Sequence, residues 1–183
     1  MLERPATLAA VRTGLWQQLG LARSDKRHGW RTPVLATVDG DAADARTVVL
    51  READEGAQQL LLFTDARAHK VAQLRRHPRG TLVMWSTELG WQLRCRVQLS
   101  VEDSGLAVSS RWARIRLSPA AQDYLAPVAP GAALAAGAAG GTPAREFFAV
   151  VTAQVLAIDW LELHSEGHRR AIFDKDGARW VQP

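Results

Sequence analysis

Near the start of the chain the apolar positions recur every three or four residues. Leu8, Val11, Leu15 and Leu19 fall on one face and Pro5 suits a first helical position, so residues 5–20 are predicted to form an amphipathic helix. After a basic loop ending at Thr32-Pro33 the period drops to two. Residues 34–38 read as a strand closed by the turn signal Asp39-Gly40, residues 46–51 (RTVVLR) as a second strand, and residues 60–64 as a third beyond a polar turn. Connections this short cannot carry helical crossovers, so the strands are expected to be antiparallel.

Residues 66–77 return to a helical pattern. Asp65 stands where a cap is needed, Val71 and Leu74 point inward, and Pro78 follows the basic residues Arg75, Arg76 and His77. Residues 81–86 form an apolar strand. Residues 92–101 alternate, with Leu93, Cys95, Val97, Leu99 and Val101 on one face and Arg94, Arg96 and Gln98 on the other, as in a half-buried strand. Residues 104–125 read as helix in one or two pieces around Ser118-Pro119, and the Ala-, Gly- and Pro-rich stretch 126–143 as a mobile insert. Strands are expected at 147–163, 168–174 and 178–182, the last after Asp176-Gly177. Six to eight antiparallel strands with accessory helices predict a mainly β domain over residues 1–183, closed into a small barrel that leaves few exposed edges.

Composition narrows the function. The 183 residues are 47% hydrophobic and 23% charged, ordinary values for one globular domain. The single cysteine, Cys95, excludes an internal disulfide and is expected in the core. No apolar run reaches the ~18 residues of a membrane helix and the first residues lack a leader's apolar segment, so a cytoplasmic protein without a membrane partner is expected. Lys and Arg number 23 against 19 Asp and Glu, a net charge of +4, but the arginines are scattered rather than striped with aromatics. That argues against a nucleic-acid partner and leaves room for a small anionic ligand held at one or two points.

The informative region runs from Arg46 to Gln92. Arg46 opens the second strand and Arg51 ends it; Thr64 ends the third and leads through Asp65-Ala66-Arg67-Ala68-His69-Lys70 into a helix. A hydroxyl, a helix start and a lysine brought together are the parts of a phosphate seat, which an arginine on a neighbouring strand can close. His164 and His168, four apart on extended chain, lack the companions of a metal site, and no metal is expected. No Ser/His/Asp triad stands out, and among the tryptophans Trp91 and Trp160 are expected to face a ring system.

In their order and spacing, RTVVLR, FTDARAHKVAQLRRHPRGTLVMW and Gln92 resemble the pyridoxamine 5′-phosphate oxidase family of FMN-binding split barrels, and Trp160 with His168-Arg169-Arg170 resembles that family's C-terminal pattern. The resemblance implies a six-stranded antiparallel split β-barrel with FMN at a homodimer interface. It implies that Arg46 and Lys70 neutralise the flavin phosphate with Thr64 donating to it, and that His69 replaces an arginine beside the lysine. Thr47, Val48, Val49, Leu50 and Arg51 would lie along the flavin with Phe63 nearby, Gln92 would hydrogen-bond it, and Trp160 and Arg170 would reach it from the partner subunit. Arg51, Arg116 and His168 would meet the substrate. Phe63 stands where the family has tyrosine, and Glu166 where it has a substrate-binding arginine, so a substrate other than pyridoxine phosphate is expected. The implied activity is hydride exchange between FMN and a small organic molecule. The alternatives are a non-catalytic flavin carrier and a haem-binding barrel using His164 or His168.

Overall fold

The computed structural model describes residues 4–133 and 147–183. Helix α1 (Leu8–Ala22) starts where Thr7, in extended backbone, accepts a hydrogen bond at Oγ1 from Ala10 N (3.1 Å), which leaves Pro5 outside the helix. The cap, not the proline, sets the start. Its apolar face buries Val11, Leu15 and Leu19 completely.

The strands are β1 (Val34–Asp39), β2 (Ala42–Thr47), β3 (Leu50–Asp54), β4 (Gln59–Asp65), β5 (Arg79–Ser86), β6 (Trp91–Glu102), β7 (Phe148–Glu162), β8 (Arg169–Asp174) and β9 (Gly177–Val181). All pairings are antiparallel, in the order β2-β1-β5-β6-β7-β4-β3, and β8 joins β7 and β9 beyond that path. The 15-residue β7 makes this possible, since its first half bridges β4 and β6 and its second half β6 and β8. The count is thus nine among the described residues, more than six to eight.

The extra strand comes from residues 46–51, which are not one strand. β2 pairs with β1 in a hairpin at Gly40 (φ +65°), and β3 pairs with β4. Between them Val48 N donates to Pro33 O and Leu50 N to Arg31 O, both at 2.9 Å. β2 and β3 are the two ends of the strand order, yet only Val48 and Val49 separate them, so the sheet must curl upon itself. The result is a split β-barrel.

Leu35, Leu82, Cys95, Ile158 and Phe173 form one cross-strand row facing inward. With α1, Trp30, Trp91 and Trp160 they make the main core, and burial pushes the Cys95 thiol up to about 12. A second apolar cluster of Leu61, Val108, Tyr124, Phe148 and Val150 lies under helix α3 (Leu106–Ile115) and a 3-10 helix (Pro119–Tyr124).

Helix α2 (His69–Arg76) begins later than expected because Asp65 does not cap it. The Asp65 carboxylate instead accepts from the Arg67 N–H (2.7 Å) and from the Arg67 guanidinium. Arg67 also donates to Ala126 O and Pro127 O, which holds the first residues of the Ala/Gly/Pro-rich stretch. The rest of that insert, from residue 134 onward, lies outside the described residues. Among these no helix is long and apolar enough to cross a membrane.

Candidate functional site

Arg46 pairs across the hairpin with the inward-facing Leu35, so its side chain enters the mouth of the barrel beneath α2. Its Nη1 donates to Thr37 Oγ1 (2.6 Å) and Leu35 O (3.3 Å), and its Nη2 to Gln73 Oε1 (2.7 Å) and the Asp44 carboxylate. Gln73 is fully buried, and its Nε2 donates to Asp44 Oδ2 (2.7 Å). All four Nη protons are therefore used, and among the described residues only Nε has no partner.

Lys70 lies one helical turn before Gln73 on the same face of α2. It is half-buried and has no ion-pair partner among the described residues. Burial and the neighbouring Arg46 charge lower its pKa, with Asp65 acting in the opposite sense. Thr64, 3% exposed, makes only a long contact (3.4 Å) from its hydroxyl to Asp65 O. Arg46 and Lys70 thus come together at one end of the barrel, and Thr64 precedes Asp65 at the end of β4. Asp65 is bound to Arg67, which leaves Asp44 to balance two cations. An excess positive charge, a spare guanidinium N–H and a weakly bonded hydroxyl suit a phosphate. His69 is turned away, its Nε2 3.1 Å from Asp39 Oδ2.

The segment expected along a flavin ring is only partly available. Val48 is 9% exposed and Leu50 not at all, because both pack into the core; Val49 is half-buried. Thr47 is exposed and opens an outer cross-strand row through Val34, Val83, Arg94, Asp159 and Ile172. A neighbouring row runs Trp85, Gln92, Leu161, Arg170. Gln92 and Arg170 therefore share one face of one protomer, two strands or about 10 Å apart. No hydrogen bond ties the Gln92 amide among the described residues. Arg170 donates from Nε (2.9 Å) and Nη2 (2.8 Å) to Asp159, and Arg94 bonds the same carboxylate. Burial opposes the Asp159 charge, but these bonds outweigh it and hold the carboxyl below its ordinary range.

Trp160 departs from expectation. It is 0% exposed, edge-on to Trp91 at 5.4 Å and against Trp180 at 6.1 Å, so its ring cannot extend toward a partner subunit. Trp91, 6% exposed, is likewise a core residue. Both sit on the inward phase of their strands, and being large and apolar they fill the barrel.

Arg51 projects outward at the β3 bulge. Its Nη2 donates to Tyr124 Oη (3.2 Å), its guanidinium lies 5.6 Å from the Phe63 ring centre, and its buried Nε has no hydrogen-bond partner. Arg51 and Phe63 line a cavity of about 700 Å³ with Arg31, Arg114, Ile115 and Glu52. Arg31 is fixed by the carbonyls of Arg23 and Leu50; burial and the Arg51 charge lower its pKa. Arg111 holds Glu52 through two bonds of 2.9 and 2.8 Å. Of the three expected substrate residues only Arg51 lines this cavity. Arg116 is exposed just after α3, and His168 sits in the β7–β8 turn, where its Nδ1 accepts from His164 N (3.2 Å). Sequence reasoning missed Arg31, Arg114, Thr37 and Gln73; a lone glutamine on the buried face of an amphipathic helix was the one available signal.

A curled antiparallel barrel with Arg46 and Lys70 at one mouth defines the class, a split β-barrel. Residues 14–103 match the family described as "Pyridoxamine 5′-phosphate oxidase, FMN-binding domain", and this part of the chain belongs to that FMN-binding family. Among solved structures it is similar to a pyridoxamine 5′-phosphate oxidase-related, FMN-binding protein from Nostoc punctiforme, with 23% identity, a TM-score of 0.75 and 100% of both chains covered. It is also similar to PhzG from Burkholderia lata, solved with tetrahydrophenazine-1-carboxylic acid, with 15% identity, a TM-score of 0.74, and 99% of this chain and 95% of that one covered. General stress protein 26 from Bacillus anthracis aligns at 14% identity and a TM-score of 0.54 over 80% of this chain and 92% of its own. No curated protein matches the chain. At these identities the structures share the fold.

Proposed function

We propose that this chain binds FMN between two copies of itself and acts as an oxidoreductase on a small organic acid. The phosphate is held by Lys70, Arg46 Nε and Thr64, and the ring extends past Val49 toward the face that carries Gln92 and Arg170. Bound flavin supplies the hydride chemistry. The chain's own residues seat the phosphate, orient the ring and shield it from water.

The observation that carries the reading is the half-buried Lys70 ammonium, which faces another cation and has no carboxylate partner among the described residues. Such a group is costly unless an anion is bound beside it. The arginine-lined cavity carries the substrate class. Arg51 and Arg114 have no carboxylate partner among the described residues, whereas Arg111 is neutralised by Glu52, so an acidic group would be drawn to the first two. The complex of PhzG with a ring carboxylic acid is in keeping with that class.

The absorption spectrum of the purified protein tests the cofactor. The expected result is a flavin spectrum with FMN released on denaturation; a haem Soret band or a colourless protein that takes up no FMN would end the proposal. Anaerobic reduction by NADH or NADPH, followed by reoxidation with candidate ring acids, separates enzyme from carrier. An enzyme reoxidises with a defined acceptor, whereas a carrier does not.

A further inference from the structure

Residues 155–157 sit where the barrel splits. On one edge of β7, β4 pairs only as far as Gln154 and β8 only from Ile158. On the other edge a bulge breaks the register with β6. Arg96 pairs with Ala157 and Val97 with Val155, so Leu156 has no partner there, and it is 49% exposed. Such a bulge re-aims side chains and bends the strand away from its neighbour. A cavity of about 510 Å³ lies beside it, bounded by β5, β6, β7 and the turn between β8 and β9. A second, of about 320 Å³, shares Thr81, Arg96 and Ala157 with the first and reaches Ile172, so the two form one elongated groove.

Two arginines in this groove are unspent. Arg79 and Thr81 point to the same side of β5 and Arg96 stands directly across from Thr81, which puts Arg79 and Arg96 on a diagonal about 7–8 Å apart. Among the described residues neither makes a hydrogen bond or an ion pair. Arg96 acts on Asp174 only at longer range, because that carboxylate accepts from Arg179 at 3.1 and 2.8 Å. Lys175 is paired with Asp176 at 2.7 Å. At the far end Arg94 and Arg170 both bond Asp159. The lining between is apolar, with Val97, Leu156, Ala157 and Ile172.

We propose that this groove is a binding site for a medium-chain alkyl carboxylate. The carboxylate sits between Arg79 and Arg96, and the chain lies over Leu156 toward Ile172. Like charges on neighbouring strands repel, and one anion between them replaces that repulsion with charge-assisted hydrogen bonds. The tail covers an exposed leucine, and the paired charges at the far end offer nothing to a second ionic group. The groove has the volume of an ordinary small-molecule site. It is separate from the proposed flavin site and does not rest on it, since Trp85 and Gln92 stand about 13 Å further along β5 and β6.

The test is isothermal titration of octanoate into the full-length protein and into Arg51→Gln, which disables the other arginine-lined cavity. Both should bind octanoate with a Kd below about 1 mM. Octylammonium, with the same tail and the opposite charge, should not bind. Replacing Arg79→Gln and Arg96→Gln together should weaken octanoate about 10- to 100-fold. Leu156→Asp, which sets a carboxylate in the path of the tail, should weaken it at least about tenfold. Circular dichroism checks that each variant is folded. Absence of octanoate binding, equal binding of octylammonium, or an unchanged Kd in the double variant would overturn the proposal. Binding that disappears in Arg51→Gln would place octanoate in the cavity at β3 and would overturn it as well.

Discussion

Glu162 is 3% exposed and still charged, because Arg4 Nε (2.9 Å), Arg169 Nε (2.8 Å) and Arg169 Nη2 (3.0 Å) all donate to it. Burial opposes the charge, but these bonds hold the carboxyl below its ordinary range, as the arginines do for Asp159. Both folded-state pKa values lie below the unfolded ones. The stabilisation is therefore fully present above the usual carboxylate range of about 4 and is lost as the pH falls below it, through the lower folded-state values. Urea midpoints should drop as the pH falls from about 5 to about 2.5, and Glu162→Gln should destabilise by about 3 kcal/mol at pH 7 while flattening that dependence. An unchanged slope in the variant would contradict this account. At this scale Arg46, Thr64 and Lys70 stand out in the sequence through the order and spacing of the motif that carries the family resemblance. The partners of Arg46 were not, since Thr37, Asp44 and Gln73 come from separate elements and only folding unites them.

At the scale of elements, the alternation that reveals strands conceals where a strand changes partner. Val48 and Leu50 point inward and Val49 does not, so the period of two runs unbroken through RTVVLR although β2 ends at Thr47 and β3 begins at Leu50. The switch is made by Pro33 O and Arg31 O, which no local pattern announces. The same limit applies to Trp160. Its phase on β7 places it in the core, and a count of tryptophans cannot tell core from site. Turns were more legible, and Gly90, in the turn joining β5 to β6, is the most constrained: φ is +65° and an added Cβ would lie 2.7 Å from Leu163 O. Gly90→Ala should destabilise by about 1–3 kcal/mol, lowering Tm by about 2–4 °C for each kcal/mol in a calorimetric scan. An unchanged Tm would mean that this turn is not under the strain described.

For the whole molecule, the fold class was legible because antiparallel strands with short connections have few ways to close. The arginine-lined cavity was not, because it is assembled from the loop before β1, the β3 bulge and α3. The outer sheet face carries Trp85 (42% exposed) and Val34 (39% exposed) beside the free Gln92 amide. In the proposed assembly this face meets a second copy. Sedimentation equilibrium should then give twice the 20.0 kDa chain mass, and Trp85→Asp should shift the protein toward monomer; a monomeric parent protein would remove the shared site. The central claim is that surplus positive charge at the barrel mouth seats a phosphate. It is tested most directly by equilibrium titration of FMN into the parent protein and into Lys70→Ala, with circular dichroism showing that both are folded. The loss of one charge-assisted contact, about 1.5–3 kcal/mol, predicts a Kd about 10- to 100-fold weaker in the variant. An unchanged Kd would contradict it.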